Sequence, residues 1–334
     1  MAGRVTLGID VGGTKVLGLA LGAGGDILTE VRVPSLTPPP GSPPDGSGPP
    51  LIDILASVAE GLRTGLPPDT EVTRVGVGAP GLVDNDGVLR FAPNLPGGTG
   101  LDVAGGLSAR LGLAVVVDND ATCAAVGEWS HGAASGASNA LMVTLGTGIG
   151  GGIVAGGRLL RGAWGFAGEI GHMVVDPTGP PCPCGKRGCW ERFASGTGLG
   201  WRAREAAHAG RLAHAVRLAG GDPESVRGEH VTTSAATGDK GALAVLTEWG
   251  WWLALGLSNL AVVLDPSVIV LGGGMLHAVG FVFESVRASF AEMLEGAAYR
   301  PEVRIVPALL GERAGAIGAA LVARQGGRDR LVPG

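Results

Sequence analysis

The chain carries one local pattern twice, about 136 residues apart. Leu7-Gly-Ile-Asp-Val-Gly-Gly-Thr-Lys-Val-Leu-Gly and Val143-Thr-Leu-Gly-Thr-Gly-Ile-Gly-Gly-Gly-Ile-Val each run from an apolar strand through a Gly/Thr turn into a second apolar strand. Glycine lets a backbone approach a ligand closely, and the N–H groups of such a turn suit phosphate oxygens. Two hairpins of this kind predict a duplicated α/β unit with a cleft between its halves. Two other phosphate motifs fit poorly. Gly8 and Gly13 have the Walker spacing, but Thr14-Lys15 follows them and the next segment is strand-like. Gly146, Gly148 and Gly151 match G-x-G-x-x-G, but a hairpin follows where a dinucleotide fold needs a helix.

A second feature is chemical. His172, Cys182, Cys184 and Cys189 place one imidazole and three thiols within eighteen residues. That is the ligand count of a closed tetrahedral Cys₃His zinc site. The alternative is a Cys182–Cys184 disulfide or idle thiols. Carboxylates flank the cluster at Glu169 and Glu191. A closed metal site beside two acids predicts a stiffened loop that shapes a polar binding site, with no chemistry at the metal. Cys123, the remaining cysteine, is expected in the core.

The chain has 334 residues, 45 % of them hydrophobic and 16 % charged, enough for two domains with real cores. The net charge is −5 and no basic stripe stands out, so nucleic acid is not an expected partner. No signal peptide is read at the N-terminus, and a reducing cytoplasm is expected from the cysteine spacing. The apolar run 249–264 carries Ser258 and Asn259 and is expected to be a buried helix, with no membrane association. Residues 34–50 hold eight prolines and three glycines and are expected to be a surface insertion.

Strands are expected over residues 6–10, 15–21, 72–77, 114–117, 140–145, 153–155, 158–161 and 268–271. Helices are expected over 51–62, 101–111, 121–129, 199–219, 241–263 and 314–324. Asp10 then sits at a strand end, where it could hold hydrated Mg²⁺. Asp118-Asn119-Asp120 sits where a strand meets a helix. A carboxylate there can take a proton from a hydroxyl, although helix capping alone explains one acid at such a place. Asn94, in Ala92-Pro-Asn-Leu-Pro96, is a turn residue by default.

Together these pieces resemble the ROK family of bacterial sugar kinases, repressors and open reading frames. The resemblance spans nearly the whole chain. It rests on Asp10-Val-Gly-Gly-Thr-Lys15, Pro93-Asn94, Asn119-Asp120, Leu145-Gly-Thr-Gly-Ile-Gly150, Gly168-Glu-Ile-Gly-His172 and Cys182-x-Cys-Gly-x-x-Gly-Cys-x-Glu191. It is strongest toward the ATP-dependent glucokinases of the family.

The resemblance implies an α/β, actin/hexokinase-like (ribonuclease H-like) duplicated fold with two domains around a cleft. One would be a small domain of residues 1–118 with the C-terminal helix 311–325, the other a large domain of residues 119–310 with the zinc loop. It implies Asp120 as the base for the sugar 6-hydroxyl. Asn94, Asn119, Asp120, Glu169, His172 and Glu191 would hold the sugar. Asp10, Gly12, Gly13, Thr14, Lys15, Gly146, Thr147 and Gly148 would hold Mg²⁺-ATP phosphates, and Gly272, Gly273 and Gly274 the adenosine side. Structural Zn²⁺ would sit on His172, Cys182, Cys184 and Cys189. A homodimer or dimer of dimers is expected. The family's repressors carry a helix-turn-helix ahead of the first phosphate motif, and with nine residues before Asp10 none is expected here. Glucose is the first substrate expected. N-acetylmannosamine, N-acetylglucosamine, fructose or allose, or a non-catalytic sugar sensor, are the alternatives.

Overall fold

In the computed structural model, the described residues are 3–13, 15–34, 51–92, 95 and 97–326. The expected contribution of Thr14 and Asn94, and the Pro-rich insertion, lie outside them. Strand β1 (Arg4–Val11) is buried along nearly its whole length, with Val5, Leu7, Ile9 and Val11 at alternate positions. It forms an antiparallel meander with β2 (Lys15–Gly22) and β3 (Ile27–Pro34). Helix α1 (Leu51–Thr64) follows, then β4 (Glu71–Ala79), which pairs parallel to β1 with Gly78 opposite Asp10. Short strands β5 (Leu82–Val83), β6 (Val88–Phe91) and β7 (Leu101–Asp102) make a separate small antiparallel sheet. Helix α2 (Val103–Leu111) starts on an Asp102 cap, and β8 (Ala114–Asn119) then runs parallel to β4 with Asp118 opposite Gly78. The sheet order is β3-β2-β1-β4-β8.

Period-two alternation sorts the faces of this sheet. Leu7, Ile9 and Val11 pack into one cluster with Leu55, Val58 and Leu62 of α1. Each such fully buried Leu, Ile or Val contributes roughly 1.5–3 kcal/mol. Gly8 and Gly76 face the other way, where a Cβ would strike the backbone of Ala316 and Ala319. Missing side chains there let the helix α10 (Ala314–Arg324) lie directly on the sheet. Asp10, two residues beyond Gly8, shares that face.

Helix α3 (Asp120–His131) follows β8, and β9 (Ala140–Leu145), β10 (Ile149–Ala155) and β11 (Arg158–Leu159) follow it. Helices α4 (Glu191–Ala194), α5 (Gly196–His208), α6 (Ala213–Leu218), α7 (Gly228–Ala236) and α8 (Lys240–Leu264) lead to β12 (Val268–Gly272). Helix α9 (Leu276–Met293) and β13 (Arg304–Pro307) precede α10. The second sheet is ordered β11-β10-β9-β12-β13. Position for position this repeats β3-β2-β1-β4-β8, and β10/β11 are antiparallel while β12/β13 are parallel, as in the first sheet. The run 249–264 is the C-terminal part of α8. Its Trp249 is fully buried and donates its indole N–H to Ser195 O at 3.1 Å. Among the described residues no helix is long and apolar enough to cross a membrane.

Several segments differ from expectation. The helix predicted over 199–219 is broken into α5 and α6, because Gly210 adopts φ +74° between them. Only Arg158–Leu159 of the predicted strand 158–161 pairs. Strands β3 and β13 and helices α7 and α9 had no predicted counterpart. Packing divides the chain into two units, one of Met1–Met142, Gly152–Gly168 and Ala308–Gly334, the other of Val143–Gly151 and Glu169–Pro307. Helix α3 therefore lies in the first unit, whereas the sequence suggested a boundary before it. The reason is close backbone packing: Gly318 and Gly127 let α10 and α3 touch at Cys123 O and Ala314 O.

Candidate active site

In the first unit, parallel pairing lines up Asp10, Gly78 and Asp118 near the C-terminal ends of three adjacent strands, so two acids flank a glycine. Asp10 ends β1, Gly78 lies opposite it on β4, and Asp118 lies opposite Gly78 on β8. That is the edge of a parallel sheet where ligands bind. A Cβ on Gly78 would stand 3.3 Å from Cys123 Sγ, 3.4 Å from Asp10 Oδ1 and 3.4 Å from Asp120 Cα. One on Gly315 would stand 2.5 Å from Asp10 Cγ. Glycines from a strand and a helix thus leave the room these carboxylates occupy.

Asn119, not an aspartate, caps α3. Its Oδ1 accepts from Thr122 N at 3.0 Å and its Nδ2 donates to Gly81 O at 3.2 Å. Capping by Asn119 leaves Asp120 as the first helical residue, its Oδ1 accepting from Ala121 N at 2.8 Å. Burial pushes the Asp120 carboxyl above the ordinary aspartate range, opposed by hydrogen bonds from backbone N–H groups. Burial pushes Asp10 up to about 8, with the Asp120 charge adding to the effect and Lys15 opposing it. A divalent cation would relieve the Asp10 carboxylate, which burial and the Asp120 charge both disfavour, so Asp10 suits a site for Mg²⁺. Cys123 is fully buried as expected, its thiol pushed up first by burial.

Both glycine turns lead into strands. In the first, Gly12 N donates to Lys15 O at 2.9 Å, and a Cβ on Gly13 would meet open space. The Lys15 ammonium pairs with Glu312 at 2.5 Å. In the second unit, Gly146 N donates to Gly148 O at 3.0 Å. The start of α5 braces this turn: Gly196 N donates to Gly146 O at 2.8 Å and Thr197 Oγ1 to Thr147 O at 2.7 Å. Gly273, at φ +89°, sits where a side chain would strike Leu145, and Met275 N donates to Leu145 O at 3.0 Å. Residues 146–148 and 272–274 are thereby brought together.

Also in the second unit, His172, Cys182, Cys184 and Cys189 offer ligand atoms all within 4.8 Å of one another. All four cysteines are free thiols. A tight turn brings Cys182 N to Lys186 O at 2.8 Å, and Gly185 and Gly188 take positive φ beside the thiols. Cys184 Sγ and Cys189 Sγ lie 3.5 Å apart, and Cys182 Sγ lies 3.7 Å from His172 Nδ1. Zinc–sulfur bonds of about 2.3 Å set tetrahedral edges near ~3.8 Å, so the spacing and the donor types fit zinc. Burial raises the Cys182 thiol. Burial acts upward on Cys184 too, but the Lys186 N–H and the neighbouring thiols bring it below the usual range.

The cluster orders its acidic neighbours. His172 Nε2 faces Glu169 Oε2 at 3.9 Å, while its Nδ1 faces the thiols and Glu191 Oε1 at 3.7 Å. Glu191 opens α4, and its Oε2 lies 2.5 Å from where a Cβ on Gly148 would stand. The second glycine turn, the cysteine loop and Glu191 therefore meet at one place.

Nothing in the amino-acid order signalled Arg161, whose Nε donates to Asp118 Oδ2 at 2.8 Å, or the bracing of the second glycine turn by Gly196 and Thr197. The Asp118 pair joins segments 43 residues apart, beyond any local motif.

The ROK family model matches residues 6–326. A glucokinase of Streptomyces coelicolor is 38 % identical over 324 residues, covering 96 % of this chain and 98 % of the relative. One of Halalkalibacterium halodurans is 36 % identical over 331 residues, covering 97 % and 96 %. The crystal structure of a ROK family glucokinase from Streptomyces griseus in complex with glucose and AMPPNP matches with a TM-score of 0.82 at 37 % identity, covering 96 % of this chain and 99 % of the other. The architecture is the α/β actin/hexokinase-like fold with its duplicated sheet. With matches of this extent along the chain, the protein belongs to the ROK family.

Proposed function

We propose that this protein is a glucokinase, transferring the γ-phosphoryl group of ATP to the 6-hydroxyl of glucose. The observation that carries this reading is the end-to-end likeness to glucokinases, one of them solved with glucose and AMPPNP, in a chain that places Asp120 at the head of α3.

Asp120 takes the proton of the attacking hydroxyl, a role worth typically ~10²–10⁴-fold. Its carboxyl, raised by burial, is a stronger base than an exposed aspartate. Asn94, Asn119, Glu169, His172 and Glu191 hold the sugar hydroxyls. Asn119 keeps one amide hydrogen and a carbonyl lone pair beyond its two structural bonds. Gly12, Gly13, Thr14 and Lys15 hold one side of the phosphates, and Gly146, Thr147 and Gly148 the other. Gly272, Gly273 and Gly274 take the adenosine side. Asp10 would hold Mg²⁺, which when bound screens phosphate charge. A phosphoryl transition state is loose, so positioning and charge screening supply most of the catalysis.

His172, Cys182, Cys184 and Cys189 would bind one structural Zn²⁺, which when bound would stiffen the loop that leads into Glu191. We place the reaction in the cytoplasm and the active species as a homodimer or dimer of dimers, which light scattering would test.

A coupled assay of ADP release from Mg²⁺-ATP, run against a panel of hexoses and N-acetylhexosamines, tests the proposal. Glucose is expected to give the highest kcat/KM. Preference for another sugar would keep the mechanism and change the substrate. Sugar binding without turnover would overturn the enzyme reading in favour of a sensor.

A further inference from the structure

We infer that Arg161 is a positioning residue for the phosphoryl transfer proposed above, acting through Asp118 on Asn119 and Asp120; the inference rests on that functional reading. Arg161 and Asp118 are almost enclosed, their side chains 11 % and 8 % exposed. A buried ion pair adds little net stability over apolar packing, so stability alone is a weak account of it. Its geometry gives a better one. Asp118 Oδ2 accepts from Arg161 Nε at 2.8 Å, and Asp118 Oδ1 accepts from Asn119 N at 2.9 Å. One carboxylate therefore joins the guanidinium to the peptide that enters α3. From that peptide Asn119 reaches both Thr122 N and Gly81 O, and Asp120 follows directly.

The backbone that carries Arg161 is itself tied down on the same unit. Ala167 N donates to Arg161 O at 3.0 Å, closing a short loop. Asn85 Nδ2 donates to Ala163 O at 3.0 Å. Gly165, at φ +93°, lies where a Cβ would press on Val83 O at 2.7 Å. Three carboxylates, Asp10, Asp118 and Asp120, act on the Cys123 thiol, and Arg161 is the cation that opposes them. A cavity of about 240 Å³ is lined by both Arg161 and Asp118. Truncating Arg161 would enlarge a space able to admit a small planar cation.

The test is chemical rescue in the full chain. Arg161→Ala is expected to lower kcat for glucose about 10²-fold, the scale of a misplaced reacting group, with KM moved far less. Methylguanidinium should restore kcat saturably, and methylammonium at equal ionic strength should not. Arg161→Lys keeps the charge without the planar fork and should stay impaired. If Arg161→Ala does not fold, Arg161→Lys and Asp118→Asn carry the test, each expected to lose kcat while keeping KM. A folded variant with wild-type kcat, or a loss that methylguanidinium does not repair in Arg161→Ala, overturns the inference. Absence of turnover in the unaltered protein would instead overturn the functional reading.

Discussion

Cys182 Sγ lies 3.1 Å from Glu191 Oε1, so a thiol proposed to bind zinc and an acid proposed to hold the sugar are direct neighbours. Metal and sugar sites of this kind should fail together. Cys184→Ser is expected to lower bound zinc from one ion per chain to a small fraction and to raise the glucose KM. Elemental analysis beside steady-state kinetics checks both. Loss of zinc with an unchanged KM would separate the two sites.

Asp120→Asn keeps the shape of the side chain and removes the base. The expected result is a kcat lower by ~10²–10⁴-fold with glucose binding retained. Because burial disfavours the charged carboxylate, the melting temperature should hold or rise at neutral pH. Isothermal titration with glucose and a thermal melt would show it, and near wild-type kcat would remove Asp120 from the role of base.

Protonation should be visible in two ways. Asp120 acts as a base only when ionised and its pKa is raised, so kcat/KM is expected to fall on the acid side at a pH above the ordinary aspartate value of 3.8. Stability of the metal-free protein should run the other way. Between 3.8 and about 8 the folded state holds the Asp10 proton that the unfolded chain gives up, so stability from this group is lost as pH rises. Asp10→Asn should flatten that slope in denaturant melts.

Gly148→Ala would set a methyl group 2.5 Å from Glu191 Oε2. The atom it meets is the end of a side chain, which can swing away. The expected cost is therefore in glucose and ATP KM, with the fold kept. Unchanged KM values for both would show that Glu191 has room to spare.

Gly76→Ala makes the opposite kind of contact. Its Cβ would land on the carbonyl of Ala319, backbone that cannot swing aside. Destabilisation of about 1–3 kcal/mol or more is expected, read as a lower denaturant midpoint. A midpoint equal to that of the unaltered chain would mean that α10 shifts freely on the sheet.

What could be read in the amino-acid order was local chemistry. Glycine turns, apolar strand runs and the His172–Cys189 spacing each depend on neighbours in the chain, and they marked both hairpins, the clustering of His172 with three cysteines and the acids at Asp10 and Asp120. Short or amphipathic segments such as β13 and α9 carry too little local signal, because packing on β12 and α8 stabilises them. Tertiary structure alone decided that Asn119, while it caps α3, also reaches Gly81 across 38 residues. It alone set Arg161 on Asp118, Lys15 on Glu312 and Glu191 against Gly148. It also assigned α3 to the first unit, through glycine contacts with α10. Such pairings join residues far apart in the chain, and they form only when parallel strand register and close backbone packing bring their side chains within reach.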